Sequence, residues 1–293
     1  MNEASEHQAN AEQIAYWNGR GGAHWTRRQE INDAILVSIS NAVLERAAVV
    51  AGERIIDAGC GCGDTSIALA ARAGPAGHVL GVDVSVPMLA RARKRAAVAH
   101  AQSRPPVHAP LDFVCADAAV HPFEANVDLL FSRFGVMFFD DPVRAFANMK
   151  PALRPGGRLV FVCWRAPALN PWLLMSFQAV RGMLPPQPET KPDAPGPFAF
   201  ARQERIRHIL ADAGFESIAL EPADFSLDLA NGLGLDAAVE TAMEMGPTGR
   251  ALDGQPGDVM TAVAVKLRET FAPYQSGPTV KLGAAVWIVT ARA

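Results

Sequence analysis

The chain has 293 residues, 49% of them hydrophobic, and a formal charge of −3 from 27 Lys and Arg against 30 Asp and Glu. At roughly 150 residues per domain, this length allows two domains or one large α/β domain with additions. The composition excludes disordered, collagen-like and coiled-coil chains, and the near-neutral charge argues against a protein that lives on phosphate backbone, so no nucleic-acid partner is expected. No apolar run approaches the ~18 residues of a membrane span. The polar, acidic start MNEASEHQANAEQ has no signal-peptide pattern, so a cytoplasmic location is expected. Four cysteines (Cys60, Cys62, Cys115 and Cys163) make no disulfide framework in a chain this long.

From the N-terminus, residues 27–50 place Ile31, Ile35, Ile39 and Val43 at four-residue spacing, which predicts a helix with one apolar stripe and Gly52 as its stop. The short apolar run Arg54-Ile-Ile-Asp57 follows, then a glycine cluster, then Asp64 to Ala73 with helix-forming composition. This strand, turn and helix recur: a strand His78–Asp83, a helix capped by Ser85, and strands Leu111–Ala116 and Val127–Phe131. Asp141-Pro142 opens another helix, and Leu-Arg-Pro-Gly-Gly (153–157) leads into a strand Arg158–Trp164. Alternating elements of this length imply crossover connections and a parallel sheet buried on both faces, an α/β fold of Rossmann-like type. Asn170-Pro171 caps a helix carrying Trp172 and Phe177, and six prolines crowd into Pro185–Pro197. A helix at Arg202–Ala213, a strand Ser217–Glu221, two helices within 235–272 and a last strand Gly283–Ala291 complete the reading. The stretch from about 165 to 200 is thus an insertion between two strands, placed where insertions tend to cover a site. The expected organisation is an N-terminal helical cap (1–50) on a core (51–293) that carries this substrate lid.

The strongest chemical signal is Asp57-Ala-Gly59-Cys60-Gly61-Cys62-Gly63 between an apolar strand and a helix. Glycines at alternate positions let the backbone turn sharply and meet a ligand with bare peptide groups, while the following helix offers free N–H donors. The dinucleotide fingerprint needs its third glycine at position 64, which is Asp64. An acid there would repel a pyrophosphate and suits a ligand carrying positive charge. Asp83 ends the second strand, where a carboxylate can accept from both ribose hydroxyls, and Asp117-Ala118 follow the third, within reach of an adenine.

These motifs, IIDAGCGCGDTS (55–66), GVDVSVPML (81–89), FVCADA (113–118), VDLLFSRFGVMFF (127–139) and LRPGGRLVFVCW (153–164), resemble the class I S-adenosylmethionine (SAM) dependent methyltransferases, and among them the ubiquinone/menaquinone C-methyltransferase branch. The resemblance implies a seven-stranded, mostly parallel sheet whose last strand is antiparallel, helices on both faces, and SAM as cofactor. In that family the turn at Asp57, Gly59, Cys60, Gly61 and Gly63 lies against the amino acid part of the cofactor. The acid at Asp83 holds the ribose, with Val84 and Met88 in the same motif, and Asp117 and Ala118 flank the adenine. Ser132 and Arg133 match the strand end that meets methionine and substrate. Cys62 departs from the threonine of many relatives. Trp17 and Trp25 lie in a Gly-rich segment of the kind that family members fold over the cofactor; alternatively they pack the first helix down.

The residues thus point to a methyltransferase acting on a small, largely apolar acceptor, with Phe134, Met137, Phe138, Trp164, Trp172 and Phe177 as walls. A non-catalytic SAM-binding partner subunit and a nicotinamide oxidoreductase are the alternatives, and a homo-oligomer stays open. No catalytic residue is named: His24, His121 and His208 remain as possible bases, each reading first as a surface or packing histidine. Cys60-x-Cys62 is too short for a zinc site, so no metal is expected. Arg91-x-Arg93-Lys94-Arg95 reads as a solvated helix face.

Overall fold

The structure, a computed structural model, describes residues 10–102, 108–186 and 193–293. The polar start over residues 1–9 and the centre of the proline-rich stretch (187–192) lie outside the described residues.

Helices α1 (Ala11–Asn18) and α2 (Arg20–Arg27) precede α3 (Gln29–Ala47). The four-residue spacing does its expected work in α3, where Ile35, Ile39 and Val43 are all buried. The helix stops earlier than Gly52: Ala48 takes the left-handed conformation at φ 47°. Arg158 explains the early stop, because its Nε donates to the Ala47 carbonyl at 2.8 Å and its Nη2 to that of Ala48 at 3.3 Å, satisfying carbonyls that a helix end leaves open.

The core then alternates: β1 (Arg54–Ala58), α4 (Asp64–Ala73), β2 (His78–Asp83), α5 (Val86–Gln102), β3 (Leu111–Cys115), β4 (Val127–Arg133), α6 (Pro142–Met149) and β5 (Leu153–Trp164). An insertion bearing α7 (Pro171–Val180) leads to α8 (Gln203–Asp212) and β6 (Glu216–Asp228). A second excursion holds α9 (Leu235–Glu244), α10 (Gly246–Ala251) and α11 (Gly257–Phe271), and the chain closes with the two-residue β7 (Gln275–Ser276) and β8 (Thr279–Arg292).

Strand order is β3-β2-β1-β4-β5-β8-β6, with β7 as a short hairpin partner of β8 off this path. Strands β1 to β5 pair in parallel, and β8 runs antiparallel to both β5 and β6. Successive residues of a strand point to opposite faces, and Ile55 with Ile56, Leu129 with Leu130, and Val160 with Phe161 are buried as neighbours. Both faces of these central strands are therefore covered, as a near-continuous apolar strand requires. Chain direction around the sheet reverses between β1 and β4, which opens a crevice at their C-terminal ends.

The last two long strands exceed their expected spans. β6 continues to Asp228 and β8 begins at Thr279 because they pair along almost their whole length, from Glu216↔Arg292 to Asp228↔Lys281. Pro222 is tolerated inside β6 because that strand is the sheet edge, with no further neighbour needing its N–H. Asn170 also departs from its expected capping role. Its fully buried side chain donates to the carbonyls of Arg165, Ala166 and Ala285 and accepts from the Ala285 N–H at 2.9 Å, tying the insertion to β8.

Candidate active site

The Gly-rich turn between β1 and α4 is shaped by what it nearly touches. Gly59 stands at φ +72°, and a Cβ there would lie 2.6 Å from the Gly135 Cα, so only glycine lets the loops after β1 and β4 meet. Gly63, expected at the ligand, instead faces α5, where a Cβ would fall 2.9 Å from the Ala92 Cβ; it serves close helix packing and does not line the cavity. Asp57 does not reach the cavity either. It is fully buried, and its Oδ2 accepts from Thr65 Oγ1 at 2.8 Å and Ser66 Oγ at 2.6 Å, clamping the turn onto the first residues of α4. Burial lifts its carboxyl to about 6 against the pull of those two hydroxyls.

Asp64 changes the electrostatic reading. Its carboxylate meets Arg133 at 2.9 Å and Arg95 at 3.3 Å, and both arginines also reach Asp33, at 3.5 and 3.0 Å. The charge is spent inside this network rather than offered to a ligand. Arg95 also donates to the Cys62 carbonyl at 2.8 Å, and Arg133 to Ser40 Oγ at 2.6 Å, so the network fixes α3, the turn and the end of β4 in one register. The thiols beside it are neutral at ordinary pH: burial raises Cys60 well above its normal value and Cys62 to about 11.

Along the same sheet edge, Asp83 accepts from the Gly61 N–H and the Ser85 N–H, each at 2.8 Å. Burial raises its carboxyl and these backbone donors oppose the rise. Asp83, Val84 and Met88 line the cavity. Asp117 and Ala118 line it as well; Asp117 Oδ1 accepts from the Ala119 N–H at 2.9 Å, and its Oδ2 takes the side-chain amide of Asn10. Helix α1 is pinned over this edge. The Trp17 carbonyl accepts from Ser85 Oγ at 2.6 Å, Asn18 Nδ2 donates to the Val84 carbonyl at 2.8 Å, and the Val86 N–H donates to Asn18 Oδ1 at 3.0 Å. Trp17 faces the cavity edge-on to Phe138, with ring centroids 5.1 Å apart, while Trp25 lines the cavity and packs on the core.

One cavity of about 1080 Å³ joins the turn, this edge and an aromatic wall. Gly59, Cys60, Gly61 and Arg133 line it on the turn side, and Phe134, Met137, Phe138, Trp164, Trp172 and Phe177 on the other. Phe134, held at φ +62°, stacks on Trp164 at 4.1 Å and 8°, and Trp172 leans on Trp164 at 4.9 Å. Ser132 stays outside. It is buried, and its Oγ accepts from the Gly135 N–H at 3.2 Å, holding the loop that Gly59 touches.

Sequence reasoning missed half of the cover. Glu244, Met245, Gly246 and Arg250, from the second excursion, line the cavity beside α7, and so do Asn32 and Asp33 of α3; His24, a possible base by sequence, lines it as well. Arg28, itself buried, donates to Glu244 at 3.1 Å and Thr241 Oγ1 at 2.9 Å, and Arg20 donates to the Gly249 carbonyl at 2.8 Å and pairs with Asp253. Ser176 of α7 and Thr248 of α10 share a buried hydrogen bond of 2.8 Å. The available signal was length: some fifty residues between the last two sheet strands far exceed an ordinary connection. Among the described residues no group of three or more His, Cys, Asp or Glu side chains could hold a metal, and no helix is long and apolar enough to cross a membrane.

Residues 56–161 match the family model described as a methyltransferase domain. A malonyl-[acyl-carrier protein] O-methyltransferase of Xylella fastidiosa is 37% identical over 36% of this chain and 33% of its own length. The ubiquinone/menaquinone biosynthesis C-methyltransferase UbiE of Roseobacter denitrificans is 34% identical over 44% of this chain and 51% of its own. The chain thus spans between a third and about half the length of the first curated relatives it matches. Among solved structures, a phosphoethanolamine N-methyltransferase of Haemonchus contortus, in complex with phosphomonomethylethanolamine and S-adenosylhomocysteine, shares the fold at a TM-score of 0.50 and 19% identity, covering 87% of this chain and 52% of that one.

Proposed function

Because this chain belongs to the class I SAM-dependent methyltransferases through the domain at residues 56–161, we propose that it transfers a methyl group from SAM to a small, largely apolar acceptor. The observation that carries this reading is the continuous cavity running from Asp83 and Asp117, at the ends of β2 and β3, to the stacked Phe134 and Trp164 at the ends of β4 and β5. Its two halves suit two ligands: a polar edge for a nucleoside and an aromatic box for an acceptor. Asp83, lining the cavity at the end of β2, fits ribose hydroxyls. Asp117 and Ala118 fit an adenine, and Gly59, Cys60, Gly61 and Arg133 fit the amino acid end. Asp57, Gly63 and Ser132 act one layer back, by holding the loops that make these contacts.

SAM supplies a methyl group on a cationic sulfur with a good leaving group. The protein's own part is to hold the acceptor in line and exclude water, which can contribute ~7–11 kcal/mol. Helix α1, pinned by Ser85, Val84 and Val86, caps the nucleoside side, and α7 with α9 and α10 covers the acceptor side. The N-terminal helices thus act as the cap on a catalytic body, and the lid is built from both insertions, not from residues 165–200 alone.

Calorimetry tests the reading. S-adenosylhomocysteine (SAH) should bind and NAD should not, and methyl-labelled SAM should pass its label to an organic-extractable aromatic or aliphatic acceptor. NAD binding without a response to SAH returns the protein to the nicotinamide enzymes. SAH binding without label transfer to any acceptor assigns it to the non-catalytic partner subunits.

A further inference from the structure

Asparagine is among the best residues at a helix N-cap, where its side chain bonds the N–H groups that a first turn leaves open. Asn10 holds that position before α1, and its side chain makes no such bond. The residue lines the cavity, and its amide is engaged there instead. Its Nδ2 donates to Asp117 Oδ2, and its Oδ1 accepts from the Asp140 N–H at 3.3 Å. A carboxylate accepts and a backbone N–H donates, so these two partners fix which way the amide faces.

The same edge of the cavity suits an adenine. Asp117 and Ala118 line it after the end of β3, and Phe139, next to Asp140, lines it too. Adenine carries an amino donor beside a ring-nitrogen acceptor, and a primary amide carries an N–H donor beside a carbonyl acceptor. Asn10 thus offers Asp117 what the amino group of the base would offer. Both halves of its amide are spent on protein partners, whereas a residue built to grip the base would keep one of them for it. The other end of α1 is held through the Trp17 carbonyl and Asn18, about two turns away, so the contact at Asn10 can break without unseating the helix.

We propose that Asn10 is a built-in competitor of the cofactor: its side-chain amide sits in the adenine subsite, and a nucleoside must displace it from Asp117 to seat. This rests on the methyltransferase reading, in which Asp117 and Ala118 take the adenine. Asp117 Oδ1 is held by the Ala119 N–H of its own loop at 2.9 Å, so Oδ2 is the oxygen for which the amide and the base contend. Binding then exchanges one N–H to carboxylate bond for another, and what adenine gains at this contact is reduced by what Asn10 gives up. The same exchange in reverse, with Asn10 returning to Asp117, favours release of the demethylated product.

Calorimetric titration of the full chain with two ligands is the test: SAH, and S-ribosylhomocysteine, which keeps the ribose and the amino acid part and lacks the base. Asn10→Ala removes the competitor, and Asn10→Ser removes it while leaving a hydroxyl able to cap α1. SAH should bind each variant about three- to tenfold more tightly than the wild type, the equivalent of one hydrogen bond. S-ribosylhomocysteine should gain nothing, binding all three proteins alike or none of them. SAH affinity unchanged in either folded variant overturns the proposal, and a lower affinity overturns it by assigning Asn10 to gripping the base. An equal gain for S-ribosylhomocysteine overturns it as well, since a loosened cap, not the loss of a rival to adenine, then admits the ligand. SAH that binds none of the three proteins refutes the methyltransferase reading itself, a separate result.

Discussion

Asp57 makes the stability of this protein depend on pH in a direction opposite to that of an ordinary carboxylate. Its side chain is completely buried, with one oxygen bonded to Thr65 and Ser66 and the other without a partner. Burial disfavours the charged form and lifts the carboxyl from 3.8 to about 6. Below pH 3.8 the group is protonated whether the chain is folded or not. Between there and pH 6 the unfolded chain ionises while the folded protein keeps its proton, and above pH 6 both are ionised and the fold carries the whole penalty. The gap of roughly two pH units corresponds to about 3 kcal/mol, present as stability at low pH and lost as pH rises through about 4 to 6. The variant Asp57→Asn would keep an amide oxygen for Thr65 and Ser66 and remove the charge. Urea unfolding of both proteins at pH 4 and pH 7.5 is the assay. The wild type should be close to Asp57→Asn at the lower pH and weaker by about 2–3 kcal/mol at the higher, other titrations cancelling between the two proteins. A difference that is the same at both pH values, within about 0.5 kcal/mol, would refute the argument that the carboxyl is folded into an apolar setting with its proton retained.

Three further outcomes follow from the site. Asp83→Ala should weaken SAH at least about tenfold, since a hydrogen bond to a charged group contributes ~1.5–3 kcal/mol, and calorimetry showing unchanged affinity would reduce Asp83 to an anchor for the Gly61 and Ser85 backbone. Trypsin cleavage after Arg20 should slow when SAH is added, because α1 and α2 close the nucleoside edge; equal rates with and without ligand would leave Trp17 and Trp25 with packing roles only. Arg28→Met should cost about 1–3 kcal/mol, read by urea unfolding, because Thr241 loses a buried donor and Glu244 a partner; no change would mean that the seam between the N-terminal helices and α9 carries no stability.

Much of this fold was legible in the residues because its signals are local. Four-residue apolar spacing marked α3, and runs such as Arg54-Ile-Ile-Asp57 and Val127–Phe131 marked strands buried on both sides, since helix period and strand length are written in neighbouring residues. Glycine at 59 and 61 marked the turn for the same reason: a left-handed backbone conformation favours glycine, so the turn is written in the residue itself. What only tertiary structure decided depends on partners distant in the chain. That Asp64 answers Arg95 and Arg133, that Asp57 turns inward to Thr65 and Ser66, and that Arg158 ends α3 are choices among charges and carbonyls brought together by folding. The cover shows this most clearly. Helices α9 and α10 look like any amphipathic segments in sequence, and only their docking on α7 and on Arg20 and Arg28 makes them a wall of the cavity, because a helix's apolar stripe records that it is buried without recording against what.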